Sequence, residues 1–221
     1  MTLIVHHLQV SQSERITWLC EELGIEYVLK IYQRAPILAP PEYKALHPMG
    51  AAPVIQDGDL TLAESGACIE YLSHMYGNTK LFVKPESPSY ADFLYWWHWG
   101  NSSFQPVLTR AMMMRSAGVS TEGNVMATVS KDRLNKCLAL LDTRLQDHEW
   151  LAGNEFTAAD IMVVFSLTSF RYWYAYSLQE YGNILRYLAR IGKREGYMRA
   201  LKKIDPKMEP ALEAECPQRS W

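Results

Sequence analysis

The sequence predicts an α/β domain followed by an all-α domain, and three observations carry that reading. Short β-branched and apolar runs of strand length, bounded by Gly, Pro and Asp, occur only in the early part of the chain. A change of character follows over residues 77–89, where Gly77, Asn78, Pro85, Ser87 and Pro88 mark a linker. Past residue 90 no strand-period stretch survives, and apolar residues recur at helical spacing. The division expected is residues 1–78, a linker over 79–89, and a helical domain over 90–221.

Residues 2–8 read as a buried first strand. Gln9 and Val10 lead to Ser11, Gln12, Ser13 and Glu14, after which Ile16, Leu19, Cys20 and Leu23 repeat at i, i+3, i+4 and i+7. Gly24 ends that helix. Residues 27–32 form the next strand, giving a β–helix–β unit whose crossover should be right-handed. Residues 33–47, with Pro36, Pro40 and Pro41, are mostly irregular.

The most organised stretch is 47–76, HPMGAAPVIQDGDLTLAESGACIEYLSHMY. Pro53 stands at the first residue of a short strand, the place a residue without an N–H tolerates. Asp57 and Gly58 read as a tight hairpin turn. A second strand spans 60–63, and Glu64 and Ser65 then open a helix whose Ile69, Leu72 and Tyr76 share a face. Strand–helix–strand, then hairpin, then helix is the thioredoxin-like order.

In the second half, residues 90–114 form one long aromatic-rich segment. Residues 126–148 place Leu134, Leu138, Leu141 and Leu145 on one face. Thr157, Ala158, Ala159 and Asp160 form a capping box, with Phe156 and Ile161 as its hydrophobic staple. The helix that follows is apolar on nearly all sides, so it should be central and buried.

Bulk properties narrow the function. A net charge of −2 over 221 residues gives no basic field for nucleic acid or an anionic membrane. Cys20, Cys68, Cys137 and Cys216 form no C-x-x-C, which argues against a disulfide framework, a zinc site or a dithiol redox motif. His6, His7 and His98 have no metal-ligand spacing and read as packing or polar surface residues. No apolar run approaches the ~18 residues of a spanning helix, and the N-terminus lacks a secretory pattern. A reduced, cytoplasmic, soluble protein without a bound metal is expected.

The helix opened by Glu64 and Ser65 leaves backbone N–H groups unpaired at a positive dipole end. A carboxylate can dock there, received by the Ser65 hydroxyl and N–H. If the Ala52–Pro53 bond is cis, the Ala52 backbone turns outward and can pair with an extended peptide. Glu64, an acceptor, can bind an ammonium beside the carboxylate. Together these describe a small γ-glutamyl or α-amino peptide as ligand. Equally, Ser65 can simply cap the helix and Pro53 simply start a strand.

The run Pro53, Val54, Ile55, followed eight residues on by Ala63, Glu64, Ser65, Gly66 and Ala67, resembles the glutathione-binding half of the cytosolic glutathione transferases. The resemblance covers nearly the full length and is similar to serine-type, yeast-type fungal and bacterial members, with APPEYKALHPMG before the proline. It implies a thioredoxin-like domain, a cis-proline, an all-helical second domain, glutathione as co-substrate and a homodimer. It further implies a residue near the end of the first strand that activates the thiol.

Tyrosine-type members place a Tyr where this chain has His6 and His7, and no Cys precedes residue 20. Ser11 is the candidate that remains, with Ser13 second. Ser11-x-x-Glu14 also matches a capping box, the role of a serine that only starts a helix. A hydroxyl donating to a thiolate is worth on the order of 1.5–3 kcal/mol. At ~1.36 kcal/mol per unit, that lowers a thiol of pKa ~8.5 by roughly one to two units.

Arg34 and Lys44 are candidates for the glycine carboxylate of glutathione. Gly50 and Ala51 stand where the family often has Lys, Gln or His, a departure that leaves that contact to backbone. An electrophile pocket is expected between Leu8 to Val10 and the first helix of the second domain, using Trp99, Ser103, Phe104 and Val107. The activity implied is conjugation of glutathione to a small hydrophobic electrophile, or reduction of an organic hydroperoxide. The competing class is a non-catalytic binding or regulatory protein on the same fold.

Overall fold

The structure is a computed structural model that describes residues 2–219. The chain divides into two compact units. The first takes residues 2–82 together with Gly192–Pro210 and Arg219, and the second takes Val83–Ile191 and Ala211–Gln218. The last helix therefore belongs with the first unit, whereas the sequence pattern had left it in the helical domain.

In the first unit β1 (Leu3–Leu8), α1 (Glu14–Leu23) and β2 (Val28–Tyr32) form a parallel β–α–β unit. After a one-turn helix α2 (Pro41–Lys44), the strands β3 (Val54–Asp57) and β4 (Leu60–Ala63) make a hairpin that leads into α3 (Ser65–Met75). The sheet order is β2-β1-β3-β4, with β3 antiparallel to both its neighbours. The hairpin differs by one residue from the sequence expectation. Asp57 stays in the ladder opposite Leu60, and Gly58, at φ 59°, opens the two-residue loop. Asp57 is held there because its Oδ2 accepts the hydroxyls of Tyr71 at 2.9 Å and Tyr76 at 2.6 Å.

The two faces of β1 are covered differently. Leu8 joins Val54, Tyr43, Ala39 and Ala63 in a core cluster beneath the segment that holds α2. Val5 and His7 alternate to the opposite face, where the His7 ring meets groups from the α1 start and from Asp205. The last helix, α9 (Glu195–Ile204; α4–α8 lie in the second unit), packs on α1. Trp18 and Tyr197 meet edge-on at 4.8 Å, and Arg194 donates through Nε and Nη2 to both oxygens of Glu22, each at 2.8 Å. Gly196 lets the helices approach: a Cβ there would lie 2.7 Å from the Glu22 carboxyl carbon.

The second unit is helical: α4 (Tyr90–Trp99), α5 (Gln105–Ser116), α6 (Val125–Asp147), α7 (Ala158–Leu167) and α8 (Gly182–Ile191). The segment read as one long helix is broken by a π-helical turn over Gly100–Phe104. Pro106 lacks the N–H that a regular helix would direct at Ser102, and the widened turn absorbs that loss. Gly100 presses against α7, where a Cβ would meet Val163 Cγ2 at 2.9 Å.

All ten residues of α7 are buried, and its first turn carries the capping box between Thr157 and Asp160. Asp160 Oδ2 accepts the Thr157 N–H at 2.8 Å and the Thr157 hydroxyl at 3.1 Å. Its Oδ1 accepts the Leu151 N–H at 3.1 Å and the Tyr187 hydroxyl at 2.9 Å. Burial pushes this carboxyl above its ordinary range, opposed by those four donors.

Candidate active site

Past Leu8 the chain leaves the sheet and turns through residues 9–13 into α1. Val10 sits at φ 44°, a left-handed conformation that costs a β-branched residue about 1–3 kcal/mol. Its N–H donates to Asp205 Oδ2 at 3.0 Å, and its carbonyl accepts from Arg34 Nη2 at 3.1 Å, so the strained residue is braced at both ends. The turn that follows brings Ser11 Oγ to 2.7 Å from Ser13 Oγ.

The capping box that Ser11 and Glu14 allow on paper does not form. The Glu14 N–H binds the Ser11 carbonyl at 3.1 Å, while the Ser11 hydroxyl accepts only a long 3.3 Å bond from the Ser13 N–H. Ser13 is the more enclosed of the two. It is fully buried, its Oγ accepts the Leu8 N–H at 3.1 Å, and it lies 2.9 Å from His7 Nδ1. The far nitrogen of His7, Nε2, lies 3.0 Å from Asp205 Oδ2. Asp205, His7, Ser13 and Ser11 are thus joined end to end, with Asp205 at one end, Ser11 at the other and each residue at most 7% exposed.

The start of α3 meets the same turn. Glu64 is exposed and holds φ 74°, and Ser65 follows as the first helical residue. Arg15 Nη1 donates to Ser65 Oγ at 3.2 Å and to Gln12 Oε1 at 2.9 Å, and Ser65 Oγ also reaches that oxygen at 3.4 Å. Gln12 and Arg15 therefore tie Ser65 to the Ser11 turn. Arg15 is completely buried, and burial pushes its guanidinium below its ordinary range while Glu14 beside it pulls the other way. The Ala52–Pro53 bond is cis. The ladder begins at Val54, opposite His6 and Ala63, so Ala52 stands outside it, half-buried beside Leu8 and Tyr43.

Other residues named from the sequence have different surroundings. The Arg34 guanidinium donates to three backbone carbonyls, those of Gln9, Val10 and Ile37, at 2.8, 3.1 and 2.8 Å. Burial first, then repulsion from Arg219, pushes it down to about 10 against the attraction of Asp205. Arg34 is thus a brace of the turn. Lys44 is exposed at the end of α2. Within the first unit Leu8 and Val10 are buried. Within the second, Trp99 and Phe104 stack on each other at 4.9 Å, Val107 is buried, and Ser103 is exposed. Those aromatic faces are largely occupied by one another.

Gln12, Arg15, His7 and Asp205 were not anticipated. Gln12 and Arg15 sit one and four residues after Ser11, a helical-turn spacing that offers a signal. Asp205 lies 198 residues from its partner His7, and no local pattern marks it. Among the described residues no group of three His, Cys, Asp or Glu is placed to hold a metal ion. No helix among them is long and apolar enough to cross a membrane.

Two family models match this chain: glutathione S-transferase, N-terminal domain, over residues 11–75, and glutathione S-transferase, C-terminal domain, over residues 124–190. Glutathione S-transferase 3 of Schizosaccharomyces pombe is 29% identical over 92% of this chain and 88% of its own. A glutathione S-transferase structure from Actinobacillus pleuropneumoniae is 32% identical, covering 92% of this chain and 93% of that one, with a TM-score of 0.82. A theta-class enzyme from Xanthomonas axonopodis pv. citri, solved with glutathione bound, is 27% identical over 90% of this chain and 96% of that one, TM-score 0.68.

The four-stranded first unit with its cis-proline, followed by a helical unit, and the two family matches together define the class as glutathione transferases. The chain belongs to the glutathione S-transferase family and is a glutathione transferase, with glutathione as co-substrate.

Proposed function

We propose that Ser11 activates the glutathione thiol for attack on a small hydrophobic electrophile. The observation that supports this most is the placement of its hydroxyl: at the end of the buried row that starts at Asp205, not used to cap α1, and in the turn whose Gln12 and Arg15 side chains bond to each other and to Ser65. Ser13, fully buried behind it, is the weaker candidate.

In this reading the γ-glutamyl carboxylate docks on the Ser65 hydroxyl and N–H, where Arg15 adds positive charge. Glu64 receives the ammonium, and the Ala52 backbone, ahead of Pro53, pairs with the cysteinyl residue as an added strand would. Lys44 is the exposed cation available to the glycine carboxylate, Arg34 being engaged by the turn. Met112, Met113 and Met114 on α5 offer deformable apolar surface suited to electrophiles of varied shape.

A homodimer is supported by apolar side chains left exposed on two helices of the second unit: Leu94 and Tyr95 on α4, and Val125, Met126, Val129 and Leu140 on α6. A cytoplasmic location is supported by four cysteines that all remain free thiols.

The test is conjugation of glutathione to a generic aryl halide, with an organic hydroperoxide in parallel. Ser11→Ala should keep glutathione affinity and lose roughly ten- to a hundredfold in kcat/KM near neutral pH, the equivalent of one to two pKa units. Full activity in Ser11→Ala would remove the assignment. Absence of any affinity for immobilised glutathione in the unmodified protein would remove the whole reading.

A further inference from the structure

We propose that Ser13, His7 and Asp205 form a proton relay behind Ser11, with His7 as the acceptor of the proton that leaves the glutathione thiol. The inference rests on Ser11 meeting that thiol, as argued above. A hydroxyl can stabilise a thiolate by donating to it, but it is no base, and the proton must go somewhere. The interior of the first unit supplies a destination.

The links are all of hydrogen-bond length: Ser11 Oγ to Ser13 Oγ 2.7 Å, Ser13 Oγ to His7 Nδ1 2.9 Å, and His7 Nε2 to Asp205 Oδ2 3.0 Å. An ionised carboxylate only accepts, so Nε2 carries the hydrogen directed at Asp205 and Nδ1 is left with its lone pair toward Ser13. Ser13 then donates to Nδ1, and its oxygen accepts from the Leu8 N–H at 3.1 Å and from the Ser11 hydroxyl. Each link thus joins one donor to one acceptor, and the row has one direction.

The step balances without a co-reactant. The S–H bond breaks and its proton passes to Ser11 Oγ. The hydrogen Ser11 held passes to Ser13 Oγ, and the one Ser13 held passes to His7 Nδ1. Both hydroxyls end neutral and reversed, so that Ser11 now donates to the thiolate. One negative charge rests on sulfur and one positive charge on the imidazole, which Asp205 faces. A carboxylate behind an imidazole with a hydroxyl before it is the arrangement by which acyl-transfer enzymes move protons; here a second hydroxyl lengthens it.

Charged groups on the surrounding elements are otherwise engaged. On α1, Arg15 is bonded to Gln12 and Ser65 and has Glu14 beside it. On α9, Lys203 is paired with Glu21, and Lys202 is exposed. Arg34 is near enough to Asp205 for the two charges to attract. On β2, Lys30 stands opposite His6, and on β3 Asp57 is at the far end, opposite Leu3. The His7 ring itself meets Ser13 and Asp205.

Two measurements on the whole protein test the relay. The first counts protons released to a weakly buffered indicator when glutathione binds, at a pH below the free thiol's ~8.5, while the near-ultraviolet thiolate band is followed. The relay keeps the proton on His7, so the unmodified protein should form thiolate with little net release. Release of about one proton for each thiolate formed would overturn it.

The second compares Ser13→Ala and Ser13→Thr across pH. The helix loses no side-chain cap when Ser13 is changed. In Ser13→Ala the bound thiol should titrate about one unit higher, with kcat/KM roughly tenfold lower on the acid limb and converging with the unmodified protein at alkaline pH. Glutathione affinity should hold, and Ser13→Thr should restore the profile. An unchanged profile in Ser13→Ala, or a loss of the same factor at every pH, would overturn the relay. A Ser11→Ala protein that still forms thiolate would instead show that the Ser11 reading has failed. If Ser13→Ala does not fold, the proton count on the unmodified protein decides alone.

Discussion

Replacing Asp160 with alanine should bring the protein close to the limit of its stability. The carboxylate is fully buried and accepts four hydrogen bonds. Alanine removes every acceptor and leaves three donors that cannot easily turn elsewhere: the Leu151 N–H, the Thr157 N–H and the Tyr187 hydroxyl, all on residues at most 4% exposed. Each buried donor left unsatisfied costs about 1–3 kcal/mol. Water entering the vacated space would relieve part of this, so about 3–5 kcal/mol is expected, against a total of about 5–15 for a folded protein.

Urea unfolding followed by tryptophan fluorescence is a suitable assay, because Trp150 packs edge-on against Phe156 at 5.2 Å and Tyr187 at 5.9 Å. The midpoint should fall with the slope unchanged. Thr157→Ala, which removes the capping hydroxyl and one methyl group, should cost about 0.5–2 kcal/mol and serves as the internal standard. An Asp160→Ala protein within ~1 kcal/mol of the unmodified one would refute the reasoning, since the penalty assigned to an abandoned donor would then be absent here.

Three further outcomes follow from the geometry. Ser65→Ala should raise the KM for glutathione roughly tenfold with kcat little changed, the loss of one hydrogen bond to a carboxylate; a steady-state titration of glutathione reads it directly. Gly100→Ala should destabilise by about 1–3 kcal/mol, because the added carbon meets Val163 Cγ2 at 2.9 Å and a β-branched side chain has little room to turn; a thermal melt with unchanged or raised stability would contradict this.

The third concerns pH. His6 accepts the Tyr32 hydroxyl at Nδ1 and directs Nε2–H at Gln56 Oε1, a neutral tautomer's pairing, and burial first of all holds its pKa below the ordinary value of 6.5. A base depressed on folding contributes stability above its unfolded pKa and loses it as pH falls through the folded one. The unmodified protein should therefore lose stability below pH 6.5 more steeply than His6→Gln, by up to ~1.36 kcal/mol per unit of depression. Parallel stability curves for the two proteins in acid would contradict it.

The readable parts of this chain were those whose cause is local. The β–α–β unit, the hairpin and the Thr157 box each rest on residues within a few positions of one another, and each formed where the pattern put it to within a residue or two. The slip of the hairpin turn has a distant cause: Asp57 is drawn into the ladder by Tyr71 on α3 and Tyr76 just past its end. Gly100 likewise looks like an ordinary helical glycine until Val163 and Met162 are seen against it.

The site divides in the same way. Glu64 and Ser65 were named from the helix they open and Ser11 from the family resemblance, and Gln12 and Arg15 follow Ser11 at turn spacing. Trp99 and Phe104 were expected to line an electrophile pocket, and no sequence pattern shows that their rings stack on each other. His7 read as a packing residue because its carboxylate partner comes from the far end of the chain. Only the fold says that α9 covers α1.

That placement of α9 bears on how the molecule is made. A ribosome delivers β1 and the Val10 turn nearly two hundred residues before Asp205, so a partly made chain can possess its whole sheet while the backbone N–H of Val10 and the ring of His7 still lack their carboxylate. The first unit is closed by a segment from far along the chain, much as a belt is closed by its buckle. Catalytic competence in a nascent or C-terminally clipped chain should consequently arise in one late event, when the segment around residue 205 docks, and not gradually as the thioredoxin-like portion emerges.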